Sequence, residues 1–323
     1  MKTNMKDLNV KRIISEQKAL SALIVIAIFM LILKPSFFSG FNILTILKSA
    51  SVLMIIGFGE ALVIISGGVD LSVGGIMCLS GVVIIRLMDT MPMPAALLLA
   101  VGSGALVGFI NGFLSVHQKT EPFVITLGMG LALTGICLQL SGGRPIYASK
   151  ASFGAFGNSS LLGVPTLIWC MLAVMAIMYY LIRYTQFGRS CYAIGGDYEI
   201  AVYSGINALK IQWSAYVISG ILAALGGVLL SSRLNSGSAT YGGPTALYVC
   251  CCVVLGGTSF SGGTGGMIRT AIGILLFSTL DNALPMFSAF SANVYLQQLI
   301  KGALVVIVVG IEYYSKKLKR ERV

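Results

Sequence analysis

Between the apolar runs 43–65 and 76–87 lies the stretch Ile65-Ser66-Gly67-Gly68-Val69-Asp70-Leu71-Ser72-Val73-Gly74-Gly75. Its position puts four glycines and one aspartate at or inside a membrane boundary. An unpaired backbone group is costly in hydrocarbon, so an irregular segment is tolerated there only where protein or a water-filled cavity surrounds it. The stretch therefore predicts two helices separated by a break at membrane depth.

Asp70 has two compatible interpretations. An aspartate before an apolar run is an ordinary helix start, so Asp70 can cap a helix that opens at Leu71, while Gly67 and Gly68 end the preceding helix. An ionisable side chain at this depth also marks a functional site. We therefore interpret the stretch as a helix break that lines a pathway. Its candidate residues are Ser66, Gly67, Gly68, Asp70, Ser72 and Gly74.

The composition of the chain is that of an integral membrane protein. Of its 323 residues, 56% are hydrophobic and 10% are charged, and the mean hydropathy is +0.90. A soluble domain carries about 25% charged residues. Because the apolar runs are continuous rather than alternating, we expect an all-α polytopic protein with about ten transmembrane helices in one domain over 19–314. The predicted spans are 19–33, 43–65, 72–88, 94–114, 122–141, 165–182, 212–231, 246–257, 267–284 and 294–314.

Membrane topology accounts for the net charge of +11, so no nucleic-acid partner is needed to explain it. The N-terminal segment 1–18 and the tail 315–323 hold five Lys or Arg residues each. By the positive-inside rule both ends are cytoplasmic, and the number of spans is even. With this threading, the cytoplasmic segments hold 14 basic residues and the outward segments hold five.

Residues for catalysis, metal binding or ATP binding are not evident in the sequence. Seven cysteines form no CxxC pair, and His117 is the only histidine. No GxxxxGK[ST] motif occurs, so ATP hydrolysis would belong to a partner. We therefore predict no cofactor, no metal site and no catalytic residue in this chain.

A second Gly-rich break follows the short span at 246–257. Residues 255–266 read LGGTSFSGGTGG and precede an apolar helix, as in the first break. Matching breaks in two halves of a chain indicate a transport pathway at a repeat interface. The candidates here are Gly256, Gly257, Thr258 and Ser259. Glu60 and Asp281 also lie near membrane depth, where each is predicted to line the pathway or join an internal ion pair.

The longest cytoplasmic connection spans residues 183–211. Asp197 is predicted to cap a short helix that runs to about Ser204, with Glu199 in its first turn and Gly205 as its stop. Residues 200–203 are too apolar for a helix that faces only water. Such a helix suits a groove on a partner protein.

Three motifs occur in order along the chain: ISGGVDLSVG at 65–74, FGR through YAIGG to SGI within 187–206, and VLGGTS at 254–259. With them the chain resembles the permease subunits of bacterial ATP-binding-cassette importers of the ribose type, which serve monosaccharides and related solutes. The similarity extends over about 18–314. Two positions depart from the family pattern, since Asp197 replaces the usual Asn and Ile200 the usual Ala. These departures concern the choice of ATPase partner more than the role of the loop.

The resemblance implies a helical permease in the bacterial inner membrane that pairs with a second permease subunit, identical or sister. It implies ATPase subunits on the cytoplasmic side, an external solute-binding protein and a sugar substrate. The helix from Asp197 would be the coupling helix that transmits nucleotide-driven motion. The ATPase-coupling candidates are Gly188, Arg189, Gly195, Gly196, Asp197, Glu199, Ala201, Ser204 and Gly205.

Three alternatives remain open on the sequence. The same importer class includes permeases for branched-chain amino acids or nucleosides. A secondary transporter driven by an ion gradient could use Asp70, Glu60 or Asp281 as its ion site. An intramembrane enzyme has little support, because one histidine and no carboxylates paired at helical spacing leave few groups for acid-base or metal chemistry.

Overall fold

A computed structural model describes residues 18–118, 120–291, 293–303, 306–307 and 310. The described part is almost entirely helical. Its helices are α1 (Lys18–Leu33), α2 (Gly40–Ile65), α3 (Val73–Met88), α4 (Met93–Gly112), α5 (Pro122–Ser141), α6 (Ala151–Asn158), α7 (Thr166–Tyr184), α8 (Gln186–Gly196), α9 (Tyr198–Tyr203), α10 (Ala208–Leu234), α11 (Thr245–Leu255), α12 (Met267–Ala283) and α13 (Ser288–Ser291). Residues 294–303 are also helical.

The helices fall where the apolar runs predict them. Six described helices are long and apolar enough to cross a membrane, and three shorter apolar helices occupy further predicted spans. Their lengths reflect the two breaks, since α3 begins after the first and α11 ends at the second. The chain is thus an all-α, multi-pass membrane protein, whereas the count of ten spans stays a prediction. The basic segment before Lys18, the tail 315–323 and the end of the last predicted span lie outside the described residues.

The core of the bundle includes α2, α3, α10 and α12, and nearly every residue of the short helix α3 is buried. The most apolar windows of α2, α10 and α12 are 56%, 67% and 61% buried, whereas that of α5 is 17% buried. The break between α2 and α3 lies inside this core, since Ser66 and Asp70 are buried. The peripheral helices α4, α5 and α7 leave large apolar side chains exposed, as lipid-facing helices do.

The connection 142–165 between α5 and α7 is folded rather than an open loop. It contains α6 and three two-residue strands, β1 (Ile146–Tyr147), β2 (Ser160–Leu161) and β3 (Val164–Pro165). Strand β1 pairs antiparallel with β4 (Ser236–Gly237), and β2 pairs with β3. The Phe153 carbonyl accepts a hydrogen bond of 2.5 Å from Ser232 Oγ, which ties α6 to the end of α10. These short ladders leave the fold class all-α.

A ridge of small residues lets α4 and α10 pack with their backbones in contact. The ridge consists of Gly104, Gly108 and Gly112, and a Cβ on the first two would overlap the carbonyl oxygens of Gly220 and Tyr216 in turn. In a membrane, such close packing is a main source of helix association. This contact positions α10 against the first break.

Alanine at Gly108 is expected to destabilise the fold by about 2 kcal/mol, because its Cβ would force the two helix backbones apart. Gly102→Ala on the same helix is the matched control, since a Cβ there meets nothing within 4 Å. Thermal unfolding of both variants in detergent measures the difference. Equal unfolding temperatures would show that the ridge carries no packing constraint.

Candidate functional site

The first break has a defined backbone path. Helix α2 ends with Ser66 at its C-cap, where Ser66 Oγ donates a 2.8 Å hydrogen bond to the Val63 carbonyl. Gly67 follows at φ +89°, a left-handed conformation that favours glycine. Gly74 lies in the first turn of α3, where a Cβ would overlap the carbonyl oxygen of Gly242. The glycines therefore serve both the turn and its close packing.

Asp70 is the centre of a buried polar network that joins three segments. Its Oδ1 accepts hydrogen bonds from the Ser72 backbone N–H at 3.1 Å and from Ser72 Oγ at 2.6 Å. Its Oδ2 accepts from Ser219 Oγ of α10 at 3.1 Å. Asn111 Nδ2 of α4 donates to Ser72 Oγ at 2.7 Å. Because Asp70 is fully buried, these partners replace the water that its carboxyl group would otherwise bind.

The predicted capping role of Asp70 is wrong in its position. Helix α3 begins at Val73 rather than at Leu71, and its N-cap residue is Ser72. The Asp70 carboxyl group accepts a hydrogen bond from the backbone N–H of Ser72, two residues later, as in an Asx turn. The Leu71 N–H is used elsewhere, since it donates to Thr126 Oγ1 of α5 at 3.0 Å. This bond ties the residue before Ser72 to α5.

Side chains from α10 hold the carbonyl groups of the break. Gln212 Nε2 donates to the Ser66 carbonyl at 2.8 Å, and Tyr216 Oη donates to the Val69 carbonyl at 3.2 Å. Gly68 makes room for this tyrosine, because a Cβ on it would lie 2.6 Å from Tyr216 Oη. The break is therefore a rigid, hydrogen-bonded element rather than a loose loop.

Glu60 is completely buried in α2, five residues before the helix ends at Ile65. Its Oε1 accepts a 3.2 Å hydrogen bond from the Asp70 backbone N–H. Its Oε2 has no hydrogen-bond partner among the described residues. Among the described residues Glu60 forms no ion pair, so the predicted ion-pair role has no support. Its contact with the Asp70 backbone places it beside the break.

Asp281 lies apart from the break, near the end of α12. It forms an ion pair with Lys301, and its side chain is 48% exposed. Asp281 is therefore paired with a lysine, but the pair is partly exposed rather than internal as predicted. Its distance from the buried network leaves it outside the candidate site.

The second break joins α11 to α12. Gly256 is buried against α12, where a Cβ would overlap the Arg269 carbonyl oxygen, and Gly257 adopts φ +101°. Thr258 is buried, and its Oγ1 has no partner among the described residues. The Ser259 backbone N–H donates to the Thr264 carbonyl at 3.2 Å, which closes the loop. This break is thus a compact turn like the first.

The two breaks meet at a junction of glycines, which also includes the end of α8. The Gly263 N–H donates a 3.0 Å hydrogen bond to the Ile65 carbonyl and so links the two breaks directly. A Cβ on Gly195 would overlap that same carbonyl oxygen, and a Cβ on Gly262 would lie 2.9 Å from the Gly195 Cα. We call Ile65, Gly195, Gly262 and Gly263 the glycine junction. The first break, the end of α8 and the second break therefore meet at one point.

The loop 183–211 folds as a helical hairpin. Helix α9 agrees with the prediction, because Asp197 Oδ1 accepts from the Ile200 N–H at 2.9 Å and Gly205 adopts φ +83° after its end. Glu199 lies in its first turn, and Ser204 Oγ donates to the Ile200 carbonyl at 2.8 Å. The longer helix α8 was not predicted, because its three glycines at 188, 195 and 196 suggest a loop.

A small apolar core attaches α9 to its neighbours. Ala201 of α9 is buried together with Ile194 of α8 and Ala208 of α10. Gly188 is buried against the end of α7, where a Cβ would overlap the Ile182 carbonyl oxygen. These contacts pack α8, α9 and the start of α10 against one another.

The outer face of α9 is apolar and open to solvent. Ile200, Val202 and Tyr203 are 64%, 44% and 88% exposed. Arg189 and Gly196 are exposed on the same hairpin. This is the kind of face that a partner groove accepts, as residues 200–203 predict.

Several site residues were missed by sequence reasoning. They share a polar side chain that faces the first break from another helix, and they are Asn111, Thr126, Gln212, Tyr216 and Ser219. A signal existed in α10, since residues 212, 216 and 219 follow the three- and four-residue spacing of one helix face. The other two positions carry no comparable pattern.

Comparison with known proteins gives a family and several full-length relatives. Residues 42–309 match the family described as branched-chain amino acid transport system / permease component. The ribose import permease protein RbsC of Haemophilus influenzae is 36% identical over 329 residues, covering 98% of this chain and 100% of the relative. The D-allose transport system permease protein AlsC of Escherichia coli is 34% identical, with 91% and 90% covered. The fructose import permease protein FrcC of Rhizobium meliloti is 32% identical, with 90% and 82% covered.

Proposed function

We infer that this chain, which belongs to the family of branched-chain amino acid transport system / permease components, is the membrane permease subunit of an ATP-binding-cassette importer for a monosaccharide. The relatives named for ribose, D-allose and fructose each align with at least nine-tenths of the chain. This agreement favours a sugar over the amino acid in the family's description. The resemblance in the three motifs leads to the same conclusion.

The subunit itself performs no covalent chemistry. Its family consists of transport permeases, and ATP hydrolysis falls to separate cytoplasmic ATPase subunits. An external binding protein delivers the sugar, and a second permease subunit completes the pathway across the bacterial inner membrane. Both termini, with the segments 1–18 and 315–323, lie in the cytoplasm, as their basic residues favour.

The glycine junction is the observation that supports a mechanism. The ATPase engages the exposed apolar face of α9, and the small core around Ala201 passes its displacement to α8. Gly195 at the end of α8 contacts both breaks through the Ile65 carbonyl and Gly263. A movement of the hairpin therefore shifts both breaks together, and the bundle changes between outward-open and inward-open packings.

The first break provides the element that this movement displaces. Side chains from α4, α5 and α10 form hydrogen bonds with the break, so a shift of the break carries these helices with it. We assign Ser66, Asp70 and Ser72 to this moving element, with Gly256 and Gly257 in the corresponding turn of the second break. A neutral sugar needs hydroxyl and amide hydrogen-bond partners along the path. A break that moves as one piece would change the direction in which such side chains point.

Uptake in reconstituted vesicles tests this function. Vesicles that hold the chain with its ATPase, supplied with sugar-loaded binding protein, are expected to accumulate the sugar only when ATP is present. Tyr203→Ala should reduce both ATPase retention and uptake at least tenfold, because exposed aromatic residues dominate such contacts. Its 88% exposure predicts an unchanged unfolding temperature.

Tyr147→Ala is the matched control, since this tyrosine is 74% exposed on β1, in the outward connection. We expect normal ATPase retention in that variant. Uptake driven by an ion gradient without ATP would instead identify a secondary transporter. Full ATPase retention by Tyr203→Ala would remove α9 from the ATPase contact.

A further inference from the structure

A cavity of about 520 Å³ lies beside the second break and has no part in the function described above. It is bounded by the end of α7, the middle of α8 and the start of α12. Two arginines line it, Arg183 from α7 and Arg269 from α12, together with Tyr192 and Thr264. Its floor is apolar, since Ile182 and Met267 also line it.

The charge of this cavity is positive and uncompensated. Within the described residues, neither Arg183 nor Arg269 forms an ion pair or a side-chain hydrogen bond. Burial raises the pKa of the Tyr192 phenol, and the positive charges of Arg269 and Arg183 offset part of that rise. Both guanidinium groups therefore lie close enough to Tyr192 to interact with it electrostatically. The two positive charges therefore converge on one space.

Backbone donors add to this potential. Helix α12 begins at Met267 after Gly266, which offers no side-chain hydrogen bond to the first turn. The residues that carry the N–H groups of that turn, Met267, Ile268 and Arg269, line the cavity. A helix N-terminus with two guanidinium groups is a typical set of donors for a phosphate group.

The position of the cavity along the spanning helices indicates whether its phosphate group belongs to a lipid headgroup or to a free ion. Arg183 lies in the last turn of the spanning helix α7, and Arg269 lies in the first turn of α12. Ile268, which also lines the cavity, is 49% exposed, so an apolar chain can continue from the cavity along the lipid-facing surface. Basic pockets between spanning helices on the cytoplasmic side bind anionic lipid headgroups.

We propose that this cavity binds a phosphate group, supplied by the headgroup of an anionic phospholipid of the cytoplasmic leaflet. The bound headgroup neutralises Arg183 and Arg269 and joins α7, α8 and α12 beside the second break. The assignment to the cytoplasmic leaflet rests on the orientation proposed above. Phosphate binding itself does not depend on the sugar or on the ATPase.

Native mass spectrometry of the purified full chain tests the site. We expect phosphatidylglycerol to bind more tightly than phosphatidylcholine. The double variant Arg183→Gln/Arg269→Gln should lose affinity for phosphatidylglycerol by roughly 25-fold, because each basic group near an anionic lipid contributes roughly fivefold. The matched control Arg144→Gln/Lys210→Gln removes two exposed positive charges elsewhere and should bind as the wild type does.

A competition arm distinguishes the source of the phosphate. If millimolar inorganic phosphate does not displace phosphatidylglycerol, the ligand is the lipid headgroup. If it does displace the lipid, the cavity is a site for free phosphate. Arg183→Lys/Arg269→Lys keeps both charges and should retain most of the affinity, which guards against a glutamine variant that fails to fold.

Equal loss of binding in the pocket and control variants would overturn the proposal. Unchanged lipid binding in the pocket variant, together with lost ATPase retention, would assign the arginines to the ATPase contact instead. Because the lipid titration uses neither ATP nor sugar, a failure of sugar uptake leaves its result intact.

Discussion

Replacing Gly195 with alanine is expected to reduce ATP-driven uptake at least tenfold and to destabilise the fold by about 3 kcal/mol. The added Cβ would overlap the Ile65 carbonyl oxygen and would lie 2.5 Å from the Gly263 nitrogen. Both neighbours are backbone atoms of the breaks, so neither can rotate away. The methyl group must therefore separate α8 from the glycine junction and break the hydrogen bond between the two breaks. Uptake in vesicles and thermal unfolding in detergent measure the two effects.

The neighbouring glycine supplies the structural control for this experiment. A Cβ on Gly196 meets nothing within 4 Å, and the residue is exposed. Gly196→Ala should therefore unfold at the wild-type temperature, although it adds the same methyl group to the same helix as Gly195→Ala does. Wild-type stability and uptake in Gly195→Ala would show that the junction can accommodate a methyl group. The mechanism would then need another connection between the hairpin and the breaks.

Asp70→Ala is expected to destabilise the protein by about 4 kcal/mol, so that little folded chain is recovered from membranes. The substitution leaves the Ser72 N–H and the Ser219 hydroxyl without their buried acceptor. It also withdraws the acceptor of the Ser72 hydroxyl, to which Asn111 is bonded. Each buried polar group without a partner costs about 1–3 kcal/mol. The yield of monodisperse protein after extraction and its unfolding temperature are the measurements.

Asp70→Asn separates shape from charge at the same position. The asparagine oxygen can accept both bonds from Ser72, and its amide can donate to Ser219, whose hydroxyl is able to accept. We expect the fold to survive with a loss of about 1 kcal/mol. A stable Asp70→Asn protein that has lost all uptake would show that the carboxyl group acts in transport beyond holding the break. Normal yield of Asp70→Ala would contradict the network's structural role.

Sequence reasoning located elements whose signals are local. The apolar runs placed the helices to within a few residues, because a run of about 20 apolar residues matches the length that a helix needs to cross the hydrocarbon core. Helix α9 was predicted from Asp197 and Gly205 alone, since a cap and a left-handed stop are chemical features of single residues. The two breaks were recognised by their glycines, and the family resemblance by the order of the motifs.

Contacts between distant segments were beyond the reach of the sequence. Nothing in the loop 183–211 indicates that Gly195 lies against Ile65 and Gly263, because glycine leaves no side-chain pattern. The sequence predicts a helix that opens at Leu71, whereas α3 begins at Val73. The hydrogen bond from the Leu71 N–H to Thr126 of α5 is a contact between distant residues that no local pattern indicates. Helix α8 was missed because glycine lowers helix propensity, and only its packing against neighbouring segments overrides that preference.

The hydrogen bond from Gly263 to Ile65 has a consequence for biogenesis. The ribosome delivers the two ends of this bond far apart in time, so the first break enters the membrane while its companion turn is still being synthesised. During that interval the Ile65 carbonyl must find water or the insertion machinery as a temporary partner. Chains truncated before the second break should accordingly be recognised by quality-control proteases, even though every helix they contain is apolar enough to insert.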